Sequence, residues 1–239
     1  MDSGTATTWT PVCLMHVEVL VEDSSGAALV DTLVSRIVGE SEGAHTWRVH
    51  KYKGVGRLPR GLKAGKNVTH RQLLEQLPRL LQGYGRTPGI DAVVVVVDTD
   101  RKDCRIFLKE LRDLLATCEP VPRQTMFRLA VEEVEAWYMG DREAVLAAYP
   151  KAKLDIMQRY VQDSVCGTWE TLADSVYPGG SAKVRKEGWP RPGELKHEWA
   201  EKIGPELGLD RNISPSFNKF VEGLRRLLLA DEVPPVQTS

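Results

Sequence analysis

The chain has 239 residues, 42% of them hydrophobic, and 32 Lys and Arg against 33 Asp and Glu give a formal net charge of −1. That length predicts one domain with a sizeable appendage, or two small ones, able to bury a core without a disulfide or metal staple. The longest apolar run, Ala92 to Val97, is far short of the ~20 residues of a membrane span, and the neutral balance argues against a uniformly basic nucleic-acid binder while leaving room for a local basic patch.

Residues 14–21 (LMHVEVLV) are β-rich, with Glu18 as the one charged break, and read as a central strand. Ala27 to Val38 has helical spacing, with Ser24 or Ser25 as a natural N-cap. Trp47 to Tyr52 alternates like a short strand. A Gly-rich loop over 51–67 follows, and His70 to Gln82 reads as an amphipathic helix. Ile90 to Val97 is the strongest strand, since its five valines suit a sheet covered on both faces. Lys102 to Ala116 is predicted helical, Thr125 to Val131 a strand, and Glu132 to Tyr149 a helix. This alternation argues for a parallel α/β sheet flanked by helices, spanning 12–150.

Pro150 marks a change. No strand is evident after it, and 153–163, 168–176, 193–207 and 215–230 read as helices. They are separated by Tyr177-Pro178-Gly179-Gly180 and Trp189-Pro190-Arg191-Pro192. The expectation is an all-helical C-terminal subdomain over 151–230, with 231–239 as a frayed tail.

Three acidic groups follow three predicted strands: Glu22, the pair Asp98 and Asp100, and Glu132, Glu133 and Glu135. Ligands of an open parallel sheet bind outside the carboxyl ends of the strands, so these carboxylates are expected to converge. Converging carboxylates repel one another unless a cation holds them, and hard oxygen donors select Mg²⁺ or Mn²⁺ over zinc. Such a site orients phosphate, activates water and neutralises a leaving oxygen. Glu132 and Glu135, three apart in a helix, would share a face, with Glu133 pointing elsewhere. The four cysteines (13, 104, 118, 166) form no CxxC pair and the five histidines no HxxxH pair. That pattern predicts free thiols in the cytoplasm and no zinc site.

An acid after the first strand (Val19-Leu20-Val21-Glu22) and a hydrophobic strand ending in D-x-D (Val97-Asp98-Thr99-Asp100) resemble the Toprim pattern of topoisomerases, primases and OLD-type nucleases. VLVEDSS, VVVDTDRKDC, EEVEAWYMGD at 132–141, GTWETL at 167–172 and NISPSF at 212–217 are similar to a bacterial Toprim-like family of unknown function. The resemblance covers roughly residues 14–229. It implies a Toprim-like fold and a catalytic set of Glu22, Asp98 and Asp100. Glu22 would act as general base or metal ligand, the two aspartates as metal ligands, with Glu132 or Glu135 as a further ligand. Related families often sit beside an ATPase and act in phage defence, which implies an ATPase partner. Homodimerisation stays open, and no membrane partner is expected. Related sequences also carry a second acid a turn into the first helix, where this chain has Gly26, Ala27 and Ala28. That departure leaves open a one-metal site or a degenerate enzyme.

Plainer readings stand beside these. Asp100 or Asp103 could cap the following helix, and Glu22 could only complement a helix dipole. The acids at 132–135 could form a solvated face. Trp137, Trp169 and Trp199 read as core anchors, and NISPSF as a capped helix start with Pro215 in its first turn.

The 51–67 loop carries Lys51, Lys53, Arg57, Arg60, Lys63 and Lys66 and no acid. Gly61 to Asn67 is one residue short of a P-loop and ends in Asn67 where Mg²⁺ needs Ser or Thr, so ATP hydrolysis is not expected there. Lys183, Arg185 and Lys186, followed by Trp189, form a second basic cluster with an aromatic that could stack on bases. Cations beside an acidic metal site suit a phosphodiester substrate. The sequence therefore points to a Mg²⁺/Mn²⁺-dependent nuclease acting on DNA or RNA. The alternative is a catalytically weak interaction or regulatory subunit of such a complex.

Overall fold

In a computed structural model, residues 14–39, 45–59 and 72–229 are described. Four strands, β1 (His16–Val21), β2 (Thr46–Lys51), β3 (Ala92–Asp98) and β4 (Gln124–Ala130), form one sheet in the order β2-β1-β3-β4. Every pairing is parallel. Between them run α1 (Ser24–Gly39), α2 (Leu73–Gly85) and α3 (Cys104–Ala116). The protein is thus α/β, with a parallel sheet flanked by helices.

The valine run explains the layering. Val93 to Val97 are all buried, because alternate residues of β3 face two different hydrophobic layers. Val93, Val95 and Val97 meet Leu74 and Leu77 of α2 and Phe107 and Leu111 of α3. Val94 and Val96 belong to the opposite layer, with Leu29 and Leu33 of α1.

That second layer is completed from beyond residue 150. After α4 (Glu135–Met139), α5 (Arg142–Ala148), α6 (Leu154–Arg159), α7 (Thr168–Val176) and α8 (Gly180–Glu187), the chain returns through α9 (Arg191–Ile203) and α10 (Pro215–Leu229). Trp199 of α9 and Phe217, Phe220 and Leu224 of α10 are buried in the same core as Val17, Val19 and Val94. The helices expected as a C-terminal subdomain therefore share the core of the sheet they cover. Trp137 lies at the junction, stacked on Phe220 at 5.1 Å between ring centroids and donating from Nε1 to Ser216 Oγ at 2.9 Å.

Local expectations held at several ends and failed at others. Asp103 caps α3, accepting from the Arg105 and Ile106 amides at 2.9 Å. At α1 the cap is Asp23 rather than a serine, accepting from the Gly26 amide at 2.7 Å. Ser214 accepts from the Phe217 amide at 3.2 Å and starts α10 ahead of Pro215. The helix expected over 132–149 is two short helices that begin only at Glu135, because Glu132 adopts a left-handed backbone (φ 61°). α8 was not expected; it starts just after Gly179, where Asp174 accepts from the Ser181 amide at 2.6 Å.

Candidate functional site

The chain steps from β1 outward to β2, then crosses to β3 on the other side of β1. The crevice outside the carboxyl ends of β1 and β3 is therefore the switch point at which open α/β sheets bind ligands. Both predicted acids sit there. Glu22 directly follows β1, and Asp98 is the last residue of β3. Glu22 Oε2 accepts from the Asp98 amide at 3.2 Å, joining the two strand ends.

The next turn is held by backbone. Thr99 donates its amide to Ala130 O, and Asp100 donates to Glu132 O, both at 2.9 Å. Buried Thr99 returns the contact, its Oγ1 accepting from the Glu132 amide at 2.8 Å. Asp100 is exposed and adopts φ 49°. It does not cap α3. The clasp brings residues 133–135 to the mouth of the crevice. Glu135, in the first turn of α4, is only 1% exposed. From α9, Lys196 reaches in, its Nζ 3.0 Å from Glu133 Oε2 and 3.4 Å from Glu135 Oε1. Among the described residues, Glu135 Oε2 is buried without a hydrogen-bond partner.

This crowding shows in the proton affinities. Burial, then the neighbouring Glu22 and Glu135 carboxylates, raise the Asp98 carboxyl well above its ordinary range. Burial pushes Glu22 up to about 7, with Asp23 and Asp100 adding to the effect and the Asp98 amide opposing it. Burial and Glu135 push Glu133 up to about 8 against the pull of Lys196. For Lys196, burial disfavours its charge, but Glu135, Glu133 and Asp98 outweigh it and raise its pKa. Among the described residues the site is a set of carboxylates with one ammonium among them, short of positive charge.

Glu132 is not part of this set. Its carboxylate accepts from the amides of Cys166, Gly167 and Thr168 at 3.1, 2.8 and 3.0 Å, and from the Thr168 hydroxyl. Burial opposes its charge, but these four donors prevail and hold its pKa below the ordinary range. Glu132 thus fastens the start of α7, and the left-handed turn at 132 replaces it in the crevice with Glu133. The sequence motifs prove to be one interlocked unit: Glu132 binds the GTWETL segment, and Trp137 binds Ser216 of NISPSF.

Where a second acid was expected in the first helix, Gly26 and Ala27 are buried and Ala28 is partly so. The further carboxylates come instead from Glu133 and Glu135. Lys196 was not singled out from sequence, because it lies on a helix rich in charges of both signs. Glu133 was assigned to the wrong face for the reason given by the turn.

The donor set is all oxygen and contains a buried carboxylate oxygen without a partner, which fits a hard divalent cation. Among the described residues, no three His, Cys, Asp or Glu side chains stand close enough to grip an ion as they are. Holding one would require the crevice acids to come closer together than they stand here.

The predicted basic residues fall in two places. The 51–67 loop begins beside the acids: Tyr52 donates its amide to Val21 O at 3.0 Å, and Gly54 to Glu22 O at 2.9 Å. Lys51, Lys53 and Arg57 are exposed there, whereas Arg60, Lys63, Lys66 and the stretch 61–67 lie outside the described residues. On α8, Lys183 lies 3.9 Å from Glu187 and Arg185 pairs with Glu170. Arg185 also sits over the Trp169 ring at 5.6 Å. Arg185 thus ties α8 to α7, the Lys183 pair stays within α8, and Trp189, 85% exposed, is an open aromatic of that region.

One further buried carboxylate escaped the sequence reading. Glu18, inside β1, is bound by His16 Nε2 at 3.2 Å and by His50 Nε2 from β2. It faces the α2 and α3 side of the sheet, away from the core shared with α9 and α10.

A domain family of unknown function, DUF4276, matches residues 21–225. The chain belongs to the DUF4276 family. The match takes in every residue of the acidic crevice from Glu22 to Lys196, and both α9 and most of α10, in keeping with their place in the common core. No curated protein and no solved structure matches this DUF4276 chain.

Proposed function

We propose that this protein is a metal-dependent phosphodiesterase of the nuclease type, Toprim-like in its arrangement of acids, that takes Mg²⁺ or Mn²⁺ at the crevice between β1 and β3. The observation that carries this reading is the buried Glu135 Oε2, without a hydrogen-bond partner among the described residues, in a cluster of carboxylates whose one counter-charge among those residues is Lys196. Asp98, Glu22 and Glu135 would hold the cation, with Asp100 at the open rim. A divalent ion bound there supplies Lewis acidity toward a phosphate oxygen and lowers the pKa of water. The chain's own residues supply the rest. Glu22, whose carboxyl burial raises to about 7 in the metal-free chain, would be either a ligand of the cation or, where it does not coordinate, the base that accepts the proton. Lys196, kept protonated by its neighbours, is placed to stabilise negative charge developing on phosphate. Lys51 and Lys53, whose loop is anchored to Val21 and Glu22, would hold the nucleic-acid backbone beside the acids.

A second reading has its own observation: Lys196 already occupies the space between Glu133 and Glu135. In that reading the ammonium stands in for the metal, and the protein is a non-catalytic subunit of a larger complex, with an ATPase as the partner that the resemblance suggests.

Cleavage of supercoiled plasmid, single-stranded DNA and bulk tRNA with Mg²⁺, Mn²⁺ or EDTA separates the two. The nuclease reading expects cleavage that requires metal and is lost in Asp98→Ala and Glu22→Ala. Equal cleavage by wild type and both variants would reject the site, and no cleavage by any of them would favour the second reading.

A further inference from the structure

A cleft of about 320 Å³ lies on the open edge of the sheet, between α3, β4 and α10. Five cations line it: Arg105 and Arg112 from α3, Arg128 from β4, and Lys219 and Arg226 from α10. Only two carboxylates, Asp163 and Glu222, join them. Asp163 is engaged outside the cation set, whereas Glu222 offsets one of the cations, Arg226. Asp163 accepts from Ser214 Oγ at 2.8 Å and from the Ser216 amide at 2.7 Å. Glu222 pairs with Arg226 along the same helix at 3.1 Å.

Arg128 is the unusual member. It stands on the sheet face covered by α10, and its guanidinium lies against that helix at Gly223. A Cβ at residue 223 would overlap Cζ and Nη2. A glycine inside a helix costs about 1 kcal/mol relative to Ala, so the sequence gives up helix stability here to seat a cation. The seat is poorly satisfied. Nη1 donates to the Phe127 carbonyl at 2.8 Å, and Nε is buried with no partner among the described residues. No carboxylate of the described residues forms an ion pair with Arg128. Burial and the like charges of Arg226 and Arg112 lower its pKa. A partly buried cation without a counter-ion, ringed by further cations, is costly unless an anion completes it.

We propose that the cleft between α3, β4 and α10 is a phosphate-binding site, with Arg128 as its fixed base and Arg112 and Arg226 as its closing arms. The guanidinium forks match phosphate oxygens, and several cations converging from two helices and a strand suit a phosphate better than a single carboxylate. The volume accommodates a phosphate together with the sugar it is attached to. The phosphate could belong to a nucleic-acid backbone or to a free nucleotide. The site is separate from the acidic crevice and does not rest on the nuclease reading.

The test uses the whole chain in EDTA, so that no metal chemistry intervenes. Inorganic phosphate and AMP are titrated by calorimetry and thermal shift, and a fluorescent single-stranded oligonucleotide by anisotropy at several salt concentrations. Wild type is expected to bind phosphate or AMP and to gain thermal stability. The exposed double variant Arg112→Gln/Arg226→Gln should bind about tenfold more weakly, while its melting temperature in the absence of ligand does not fall, because two like charges beside Arg128 are gone. Arg128→Gln, if folded, should lose binding altogether. Oligonucleotide binding that phosphate competes away, and that the double variant weakens, identifies the backbone as the source. Phosphate or AMP binding without oligonucleotide binding identifies a small phosphorylated ligand. Either supports the proposal. Binding of all probes that is absent, or that is the same in the double variant as in wild type, would overturn it, as would binding of an acidic peptide alone.

Discussion

Glu18 and Glu132 on one side, and Glu22, Asp98 and Glu135 on the other, are carboxylates taken into the same small α/β protein under opposite terms. Glu18 is met by two imidazoles on the α2 and α3 face. Glu132 is met by four donors at the start of α7. Each of these has both oxygens engaged, and Glu132 keeps a low pKa as a result. At the ends of β1 and β3, carboxylates face one another around one ammonium among the described residues, and one oxygen has no partner among them. A buried polar group left unpaired costs roughly 1–3 kcal/mol, more when charged. The first group holds the fold together, and the second is a strain that a ligand would relieve. On the function proposed above, that difference is what sets the crevice apart from the acids that hold the fold.

If that contrast is right, removing charges has opposite effects in the two places. The largest effect belongs to Lys196→Met, which leaves Glu133 and Glu135 buried without their counter-charge. Urea unfolding at pH 8 should show a loss of roughly 3–5 kcal/mol. The loss should shrink at pH 5, where Glu133 is protonated. Next comes Glu132→Ala, which orphans three amides and a hydroxyl; about 2–4 kcal/mol should be lost, with little dependence on pH above 5. Asp98→Asn should run the other way. Replacing a crowded carboxylate by an amide of the same shape should raise metal-free stability by about 1 kcal/mol while removing activity. A destabilising Asp98→Asn would break the comparison, because it would place Asp98 among the satisfied acids.

The last effect is a slope with pH, spread over several units. Glu22 and Glu133 have folded pKa values raised to about 7 and about 8. Below pH ~4.5 they are protonated in folded and unfolded chains alike and contribute nothing. Between ~4.5 and 8 the unfolded chain gives up these protons first, so the metal-free protein should lose stability as pH rises, levelling off above 8. Denaturant midpoints taken at half-unit pH steps would show this, and the slope should flatten in Glu22→Gln.

Much of the fold was written in the periodicity. The valine run announced a central strand covered on both faces, and the apolar spacing of Lys102 to Ala116 gave α3 nearly to its ends. Asp98 after those valines was legible because no packing argument places a carboxylate there. The site was only half legible. A helical reading of 132–149 put Glu132 and Glu135 on one face, but the left-handed turn at Glu132 turns that side chain toward residues 166–168 and brings in Glu133. Turn handedness at a glutamate carries no signal in sequence, since non-glycine residues seldom adopt it. Lys196 is hidden for another reason: a lysine among the charges of α9 looks like any solvated one, and only the packing of α9 on α1 carries it to the crevice. Glu18 looked like an interruption of a strand, because its partners come from two residues back and from the neighbouring strand. Nor does spacing reveal that Gly223 makes room for Arg128, 95 positions earlier in the chain.

The central claim is that the crevice is short of one cation. A Mn²⁺ titration followed by thermal unfolding, without nucleic acid, tests it directly in wild type and in Glu135→Gln. Binding to the folded state alone raises the melting temperature, and coordination must displace protons held by Glu22 and Asp98. Wild type should therefore show a saturable rise that is larger at pH 8 than at pH 6 and is much reduced in Glu135→Gln. No rise at either pH, or an equal rise in the variant, would contradict the account.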